Sequence, residues 1–165
     1  MSFISQPGVD EVGWQLLQLL QQDGRMSHRE LGRRVGLTAP AVAERVKRLE
    51  AAGVITGYHA HVDYERLGFG LTAVVRLAPR DRGSDGALRT VAASSEILEC
   101  HRITGEDCYI MKIIAPSMRH LEKLLDRLME HGDTTTSMVI SSPVVHRVIG
   151  PDTLVPPSEA RKPTR

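Results

Sequence analysis

The 165-residue sequence predicts an α+β protein in which a helix-turn-helix precedes a β-α-β-β-α-β unit. Short helical patterns with cap residues and a glycine turn fill the first third of the chain, whereas strand-like runs and amphipathic helices follow Gly70. We therefore place the domain boundary at this change of composition. The expected parts are a winged-helix-like helix-turn-helix domain at residues 1–57, a linker at 58–70, a second domain at 71–149 and a disordered tail, rich in proline and charge, at 150–165.

Cap residues and a glycine define the two helices of the helix-turn-helix. Ser27 can accept hydrogen bonds from the first backbone N–H groups, and Glu30 can reach back to the cap, which makes a capping box. Gly36 supplies the backbone freedom of a tight turn, and Thr38 is a suitable N-cap for the second helix. Residues 52–58 are typical of a helix end followed by a short extended segment, either a small wing or a strand.

The second helix has an apolar side and a basic side. Val42, Val46 and Leu49 recur at helical spacing. From Arg25 to Arg48 the chain carries seven arginines and lysines against two glutamates, although the net charge of the whole chain is only +1. A local basic cluster of this kind contributes affinity for duplex DNA by releasing counterions from the phosphates.

A basic helix face can also be merely solvated. The caps, the glycine turn and the short side chains of Ala39, Ala41 and Ala43, which let a helix approach base edges, favour DNA binding instead. We expect Ala41 and Glu44 nearest the bases and the cations mainly on phosphates. The predicted DNA-binding residues are Arg29, Arg33, Thr38, Pro40, Ala41, Glu44, Arg45, Lys47 and Arg48.

Composition argues against several other classes. The aromatic content of 4% leaves little for stacking on single-stranded nucleic acid. The sequence shows neither a signal peptide nor an apolar run that could cross a membrane, so we expect a soluble, cytoplasmic protein. No spacing of serines and histidines suggests an activated nucleophile, so we predict no enzyme and no catalytic residues.

The two cysteines do not suggest a disulfide or a metal site. If Ile103 pairs with Cys108 across a hairpin, the register places Cys100 opposite Met111, and the two thiols lie about 10 Å apart. A disulfide does not span that distance. A metal site built on these cysteines and scattered histidines lacks any CxxC or HxxxH spacing, so none is predicted.

The second domain is predicted to be ferredoxin-like. Its helix over 84–94 should turn Leu88 and Val91 inward. Apolar residues on both faces of the strands predict a homodimer, since two helices cover only one face of the sheet. The expected strands are Leu71–Leu77, Ile97–Ile103, Cys108–Ile114 and Thr134–Ile140, the last either ending there or resuming after Pro143, and a second helix is expected to open at Ser117.

The segments Gly36-Leu37-Thr38, Glu44 to Ile55, Glu99-Cys100-His101 and Thr104-Gly105 together resemble the Lrp/AsnC family of feast/famine transcription regulators. The resemblance covers about Asp10 to Val148. It implies an N-terminal DNA reader joined to a domain that binds an effector and oligomerises, dimerising through its sheet and often assembling into octamers. Amino acids are the usual effectors of the family, and no other cofactor is implied.

By the same resemblance, the effector site lies between dimers and uses the turn after the second sheet strand. The implied residues are Thr104, Gly105, Glu106, Asp107, Cys108 and Tyr109, with Thr134 and Thr136 as additions. Leucine-responsive members carry an Asp at the position of Cys108, so this chain lacks a carboxylate that could pair with the ligand's amino group. The alternatives to a DNA-binding regulator are a ferredoxin-like small-molecule sensor and a protein-interaction module without DNA binding.

Overall fold

The computed structural model describes residues 8–81, 85–105 and 108–154. The chain forms two compact units. The helical unit comprises the chain up to Ala60 together with the segment from Val144, and the sheet unit comprises His61–Pro143. None of the helices in the described part of the chain is long and apolar enough to cross a membrane.

The helical unit contains α1 (Glu11–Gln22), α2 (His28–Val35) and α3 (Ala39–Ala51). Ser27 and Thr38 cap α2 and α3 as the sequence predicts, since their side chains accept from the backbone N–H groups of Glu30 and Ala41. Gly36 ends α2 at φ 71°, in the left-handed region that favours glycine. The core of the unit is formed by Leu16, Leu31, Val42 and Val46.

Three details of the helical unit differ from the predictions. The carboxylate of Glu30 pairs with Arg33 and Arg34 instead of reaching back to the cap. In the segment 52–58, which is described throughout, a turn at Gly53 follows α3 and neither a wing nor a strand forms.

The third difference lies at the C-terminal end of the chain. The side-chain amide of Gln21 on α1 donates to the carbonyl of Ile149 and accepts from its N–H, at 3.1 and 3.0 Å. By its contacts the segment from Val144 groups with the helical unit, whereas the predicted second domain extends to residue 149. Pro151–Leu154 form a 3-10 turn where the sequence predicted a disordered tail, and residues 155–165 lie outside the described residues.

The sheet unit has the predicted ferredoxin-like order. Its strands are β1 (Leu71–Pro79), β2 (Ile97–Arg102), β3 (Tyr109–Ala115) and β4 (Gly132–Met138), and its helices are α4 (Gly86–Ala92) and α5 (Met118–Met129). All neighbouring strands are antiparallel, in the order β2-β3-β1-β4. β4 ends at Met138, and no strand resumes in the described residues that follow Pro143.

The core of the sheet unit lies between one face of the sheet and the two helices. Val75, Leu77, Met111 and Ile113 of the central strands pack with Leu124 of α5. Ala87 and Val91 of α4 join this cluster, whereas Leu88, predicted to point inward, is 41% exposed. Since α4 is only 7 residues long, a shift of one position in its phase exchanges the buried residue.

The hairpin register agrees with the prediction for the cysteines. Cys100 lies opposite Met111, and the N–H of Ile103 donates to the carbonyl of Cys108 at 2.7 Å. Both thiols are free.

A half-buried carboxylate joins α5 to the start of β2. Glu96, whose side chain is only 15% exposed, accepts from Nε2 of His120 at 2.7 Å and lies 3.6 Å from the guanidinium of Arg127. The hydrogen bond from its own backbone N–H, then the bond from His120 and the charge of Arg127, lower the pKa of Glu96. Because the ionised form is stabilised in the folded protein, this carboxylate should stabilise the fold at neutral pH.

We therefore expect Glu96→Gln to lower the free energy of unfolding by about 1.5 kcal/mol at pH 7. The folded-state pKa lies below the ordinary value of 4.5, so the contribution of Glu96 is fully present above pH 4.5 and is lost as the pH falls through the lowered value. Urea unfolding of both proteins at a series of pH values checks this. Glu122→Gln, an exposed change on the same helix, is the control, and a Glu96→Gln deficit that persists unchanged at the acid end would contradict the assignment.

Candidate DNA-binding and effector sites

Helix α3 presents one face to the core and the other to solvent. Val42 and Val46 are buried, whereas Pro40, Glu44 and the two cations Lys47 and Arg48 are exposed. Of the remaining residues that the sequence predicts at DNA, Thr38, Arg29 and Arg33 are exposed and Ala41 is half-buried. The fold therefore brings the predicted residues of α3, except Arg45, to one accessible face.

The cations around this face differ in what they contact. Within the described residues, Arg29, Lys47 and Arg48 form no ion pair. Arg33 and Arg34 of α2 both bind Glu30, at 2.8 and 2.9 Å, and they hold the pKa of this carboxyl down to about 2. The side chain of Arg33 is still 72% exposed, so its guanidinium remains accessible to a phosphate.

Arg45 departs from the predicted arrangement. Its Nη1 donates to both carboxylate oxygens of Asp10, at 2.9 and 2.7 Å. The same carboxylate caps α1 by accepting from the N–H of Gly13 at 2.8 Å. The hydrogen bond from Arg45, followed by the one from Gly13, lowers the pKa of Asp10. Sequence reasoning missed Asp10 because its partner lies 35 residues further along the chain.

The predicted effector residues lie at the β2–β3 turn and on β4. Thr104 and Gly105 are exposed in the turn, Gly105 has a φ of 112°, and Glu106 and Asp107 lie outside the described residues. Cys108 is buried, with 8% of its surface exposed. Its φ of 54° is a backbone conformation that costs a non-glycine residue about 1 kcal/mol. Strained backbone of this kind often marks a functional turn.

The sheet places some of these residues in common rows. Leu77 pairs with Tyr109 on one side, and on the other it lies opposite Thr134, between the pairs Arg76–Thr135 and Ala78–Asp133. Tyr109 and Thr134 are therefore in one row of the sheet, about 10 Å apart across β1. Thr136 lies two residues further along β4, on the same face as Thr134 and opposite Val75, and is exposed. The ring of Tyr109 and the thiol of Cys108 belong to the core cluster.

The two units define the class of helix-turn-helix transcription regulators with a second, ferredoxin-like domain. Residues 9–50 match the family model of the AsnC-type helix-turn-helix domain, and residues 72–149 match that of the Lrp/AsnC ligand binding domain. The chain belongs to the Lrp/AsnC family of transcription regulators. The resemblance found in the sequence is confirmed.

Individual relatives are similar over almost their whole length. An uncharacterized HTH-type transcriptional regulator, YezC, of Bacillus subtilis is 41% identical over 138 residues, which are 84% of this chain and 98% of the relative. The feast or famine regulatory protein of M. tuberculosis complexed with L-methionine has a TM-score of 0.81 at 32% identity and covers 87% of this chain and 99% of its own. A transcriptional regulator of Neisseria meningitidis in complex with L-Met has a TM-score of 0.80 at 29% identity, with coverages of 88% and 99%.

Proposed function

We propose that this protein regulates transcription by placing α3 in the major groove of duplex DNA and that an amino acid bound to its sheet unit modulates this binding. The observation that carries the DNA-binding half is the exposed face of α3, where Lys47 and Arg48 are accessible and form no ion pair within the described residues. Cations in such a position neutralise phosphates and release counterions. Since DNA binding takes place on the chromosome, we assign the protein to the cytoplasm.

The proposed contacts follow from which side chains α3 and its neighbours expose. Ala41 and Glu44 lie nearest the bases, and the cations lie mainly on phosphates. Few long polar side chains stand at base-facing positions, so much of the specificity comes from DNA shape and bending. The proposed DNA-contacting residues are Arg29, Arg33, Thr38, Pro40, Ala41, Glu44, Lys47 and Arg48, without Arg45, whose guanidinium is held by Asp10.

The proposed effector is a free amino acid bound at the β2–β3 turn. Two similar structures are complexes with L-methionine. A turn with left-handed residues directs backbone N–H groups outward, where they can bind a carboxylate. The residues proposed to line the site are Thr104, Gly105, Glu106, Asp107, Cys108, Tyr109, Thr134 and Thr136.

We further propose that two copies dimerise through the sheet and that dimers assemble into larger oligomers, up to an octamer. The helices pack on one face of the sheet. Val74 and Ile110 point to the other face, where both are only half-buried. A second sheet placed on this face would remove their apolar surface from water.

The experiment combines light scattering with DNA binding by the full chain, in the presence and absence of each common L-amino acid. The DNA is the region upstream of the protein's own gene, and a scrambled duplex of the same length is the control. We expect L-methionine or a chemically similar amino acid to change the oligomeric mass or the DNA affinity. DNA binding without a response to any amino acid would overturn the proposed effector binding. Equal affinities for the upstream DNA and the scrambled duplex would overturn the proposed role as a transcription regulator.

A matched pair of variants on β4 tests the effector site. Thr134→Val removes the hydroxyl in the row of Tyr109 and should weaken the response about tenfold, the loss expected for one hydrogen bond to a charged ligand. Thr135→Val makes the same change one residue further on, where the side chain points to the opposite face of the sheet. Equal responses of the two variants would contradict the proposed site.

A further inference from the structure

One carboxylate in the helical unit serves two helices at once. Asp10 caps α1 through the N–H of Gly13, and its two oxygens also accept from Nη1 of Arg45 on α3. The cap fixes the carboxylate at the first turn of α1, so Arg45 meets a partner that is already held in place. The pair thereby ties the start of α1 to the middle of α3.

The position of Arg45 on α3 explains why its side chain turns toward α1. Arg45 precedes the buried Val46, and its side chain is 37% exposed, whereas Lys47 and Arg48 lie on the exposed face. A charge-assisted hydrogen bond from a guanidinium to a carboxylate uses the same donors that would otherwise bind a phosphate. A DNA phosphate would have to displace an intramolecular partner to engage Arg45.

We propose that Asp10 is a positioning residue that occupies Arg45 in place of a DNA phosphate, so that Arg45 sets the orientation of α3 on α1 and does not contribute to phosphate binding. This inference rests on the proposed binding of DNA through α3. It divides the basic residues of the helix into two roles. Lys47 and Arg48 neutralise phosphates, and Arg45 holds the helix at the angle at which Ala41 and Glu44 reach the bases.

A neighbouring arginine supplies the comparison that the proposal needs. Arg48 lines the same cleft of about 350 Å³ as Asp10 and Arg45, on the same helix, and forms no ion pair in the described part of the chain. The two arginines therefore line one cleft and differ in whether an ion-pair partner holds them. Only Arg48, which has no ion-pair partner in the described part of the chain, should count among the phosphate contacts.

The salt dependence of DNA affinity separates these roles, because its slope counts the phosphates that the protein neutralises. The affinity of the full chain for a random duplex is measured by fluorescence anisotropy between about 50 and 200 mM KCl, and the slope is expressed per bound protomer. We expect Arg45→Gln to leave the slope unchanged and Arg48→Gln to flatten it by about 0.9. For the upstream DNA, Arg45→Gln should reduce the ratio of specific to non-specific affinity about tenfold, comparable to one mismatched base pair.

Changing the carboxylate gives the opposite result. Asp10→Asn keeps an oxygen that caps α1 equally well, and it removes the charge that holds Arg45. We expect the released arginine to bind a phosphate, so the slope steepens by up to about 0.9 per protomer. Glu11→Gln removes the same charge from the adjacent residue and should leave the slope unchanged, and Arg45→Gln added to Asp10→Asn should cancel the gain.

Thermal unfolding and circular dichroism of each variant confirm that it is folded before its slope is compared. A flatter slope for Arg45→Gln alone, or identical slopes for Asp10→Asn and Glu11→Gln, would overturn the proposal while leaving DNA binding through α3 intact. Absence of salt-dependent DNA binding by the unaltered protein would overturn both this inference and the proposed function. A purely structural ion pair would lower the unfolding temperature of Asp10→Asn without steepening the slope, and that result also contradicts the proposal.

Discussion

Replacing Gly32 with alanine is expected to disrupt the helix-turn-helix and abolish specific DNA binding, although the change adds a single methyl group. Gly32 lies buried in α2, and a Cβ at this position would meet the carbonyl oxygen of Leu37 well inside van der Waals contact. The N–H of Leu37 also donates to the carbonyl of Gly32 at 2.9 Å. The added Cβ is fixed to the backbone of α2 and the carbonyl of Leu37 belongs to the backbone of the turn, so the clash is relieved only if the turn and α3 move relative to α2. We expect a loss of about 3 kcal/mol in the free energy of unfolding.

The control for this prediction is Gly36, which ends α2 four residues further along the chain. Gly36→Ala meets no atom within 4 Å, and its cost comes from the φ of 71° alone, which amounts to about 1 kcal/mol. Gly36→Asn should lower the free energy of unfolding by less, because asparagine tolerates the left-handed conformation better than alanine. Urea unfolding followed by the fluorescence of Trp14, the only tryptophan of the chain, reports on the helical unit. Equal losses for Gly32→Ala and Gly36→Ala would contradict the proposed clash.

The two glycines differ in whether their roles can be predicted from the sequence. Ser27, Gly36 and Thr38 could be assigned from the sequence because each acts on residues at most three or four positions away. The role of Gly32 depends on how closely the backbone of Leu37 returns to α2, which is a tertiary distance. In a single sequence, a glycine inside a helix gives no indication that another backbone segment packs against it.

The same limit applies to contacts between distant segments. The register of Cys100 and Met111 followed from the hairpin between them, because a short turn fixes the pairing. The pairs Asp10–Arg45 and Gln21–Ile149 join residues 35 and 128 positions apart, and neither has a local pattern. The second pair joins the end of the chain to α1, a contact that no local sequence pattern indicates.

The proposed effector site could be inferred from the sequence only through the family resemblance. Composition and periodicity indicate a hairpin turn at Thr104 and Gly105, and nothing in them connects this turn to β4. The strand order β2-β3-β1-β4 places Thr134 and Tyr109 on either side of Leu77. Side chains alternate between the two faces along β4, so Thr134 shares the face of Tyr109 and Thr135 points to the opposite face.

Arg48→Gln is expected to weaken the binding of all DNA sequences by a similar factor, because a phosphate contact carries no sequence information. The side chain is exposed on α3, and within the described residues it has no ion-pair partner to compensate for its loss. The logarithmic dependence of affinity on salt should flatten by about 0.9 for each protomer that contacts the duplex. The affinities of the upstream DNA and of a scrambled duplex should therefore decrease together, with their ratio preserved.

The matched control is Arg119→Gln, which removes the same charge from an exposed position on α5 in the sheet unit. Both variants lower the net charge of the chain from +1 to zero, so any effect of overall charge is common to them. We expect a change of the salt slope only in Arg48→Gln, because the slope counts the charges that neutralise phosphates and α5 is not among the elements proposed to contact DNA. Equal slopes for the two variants would show that Arg48 does not reach the phosphates, and a change in the ratio of the two affinities would place it at a base edge instead.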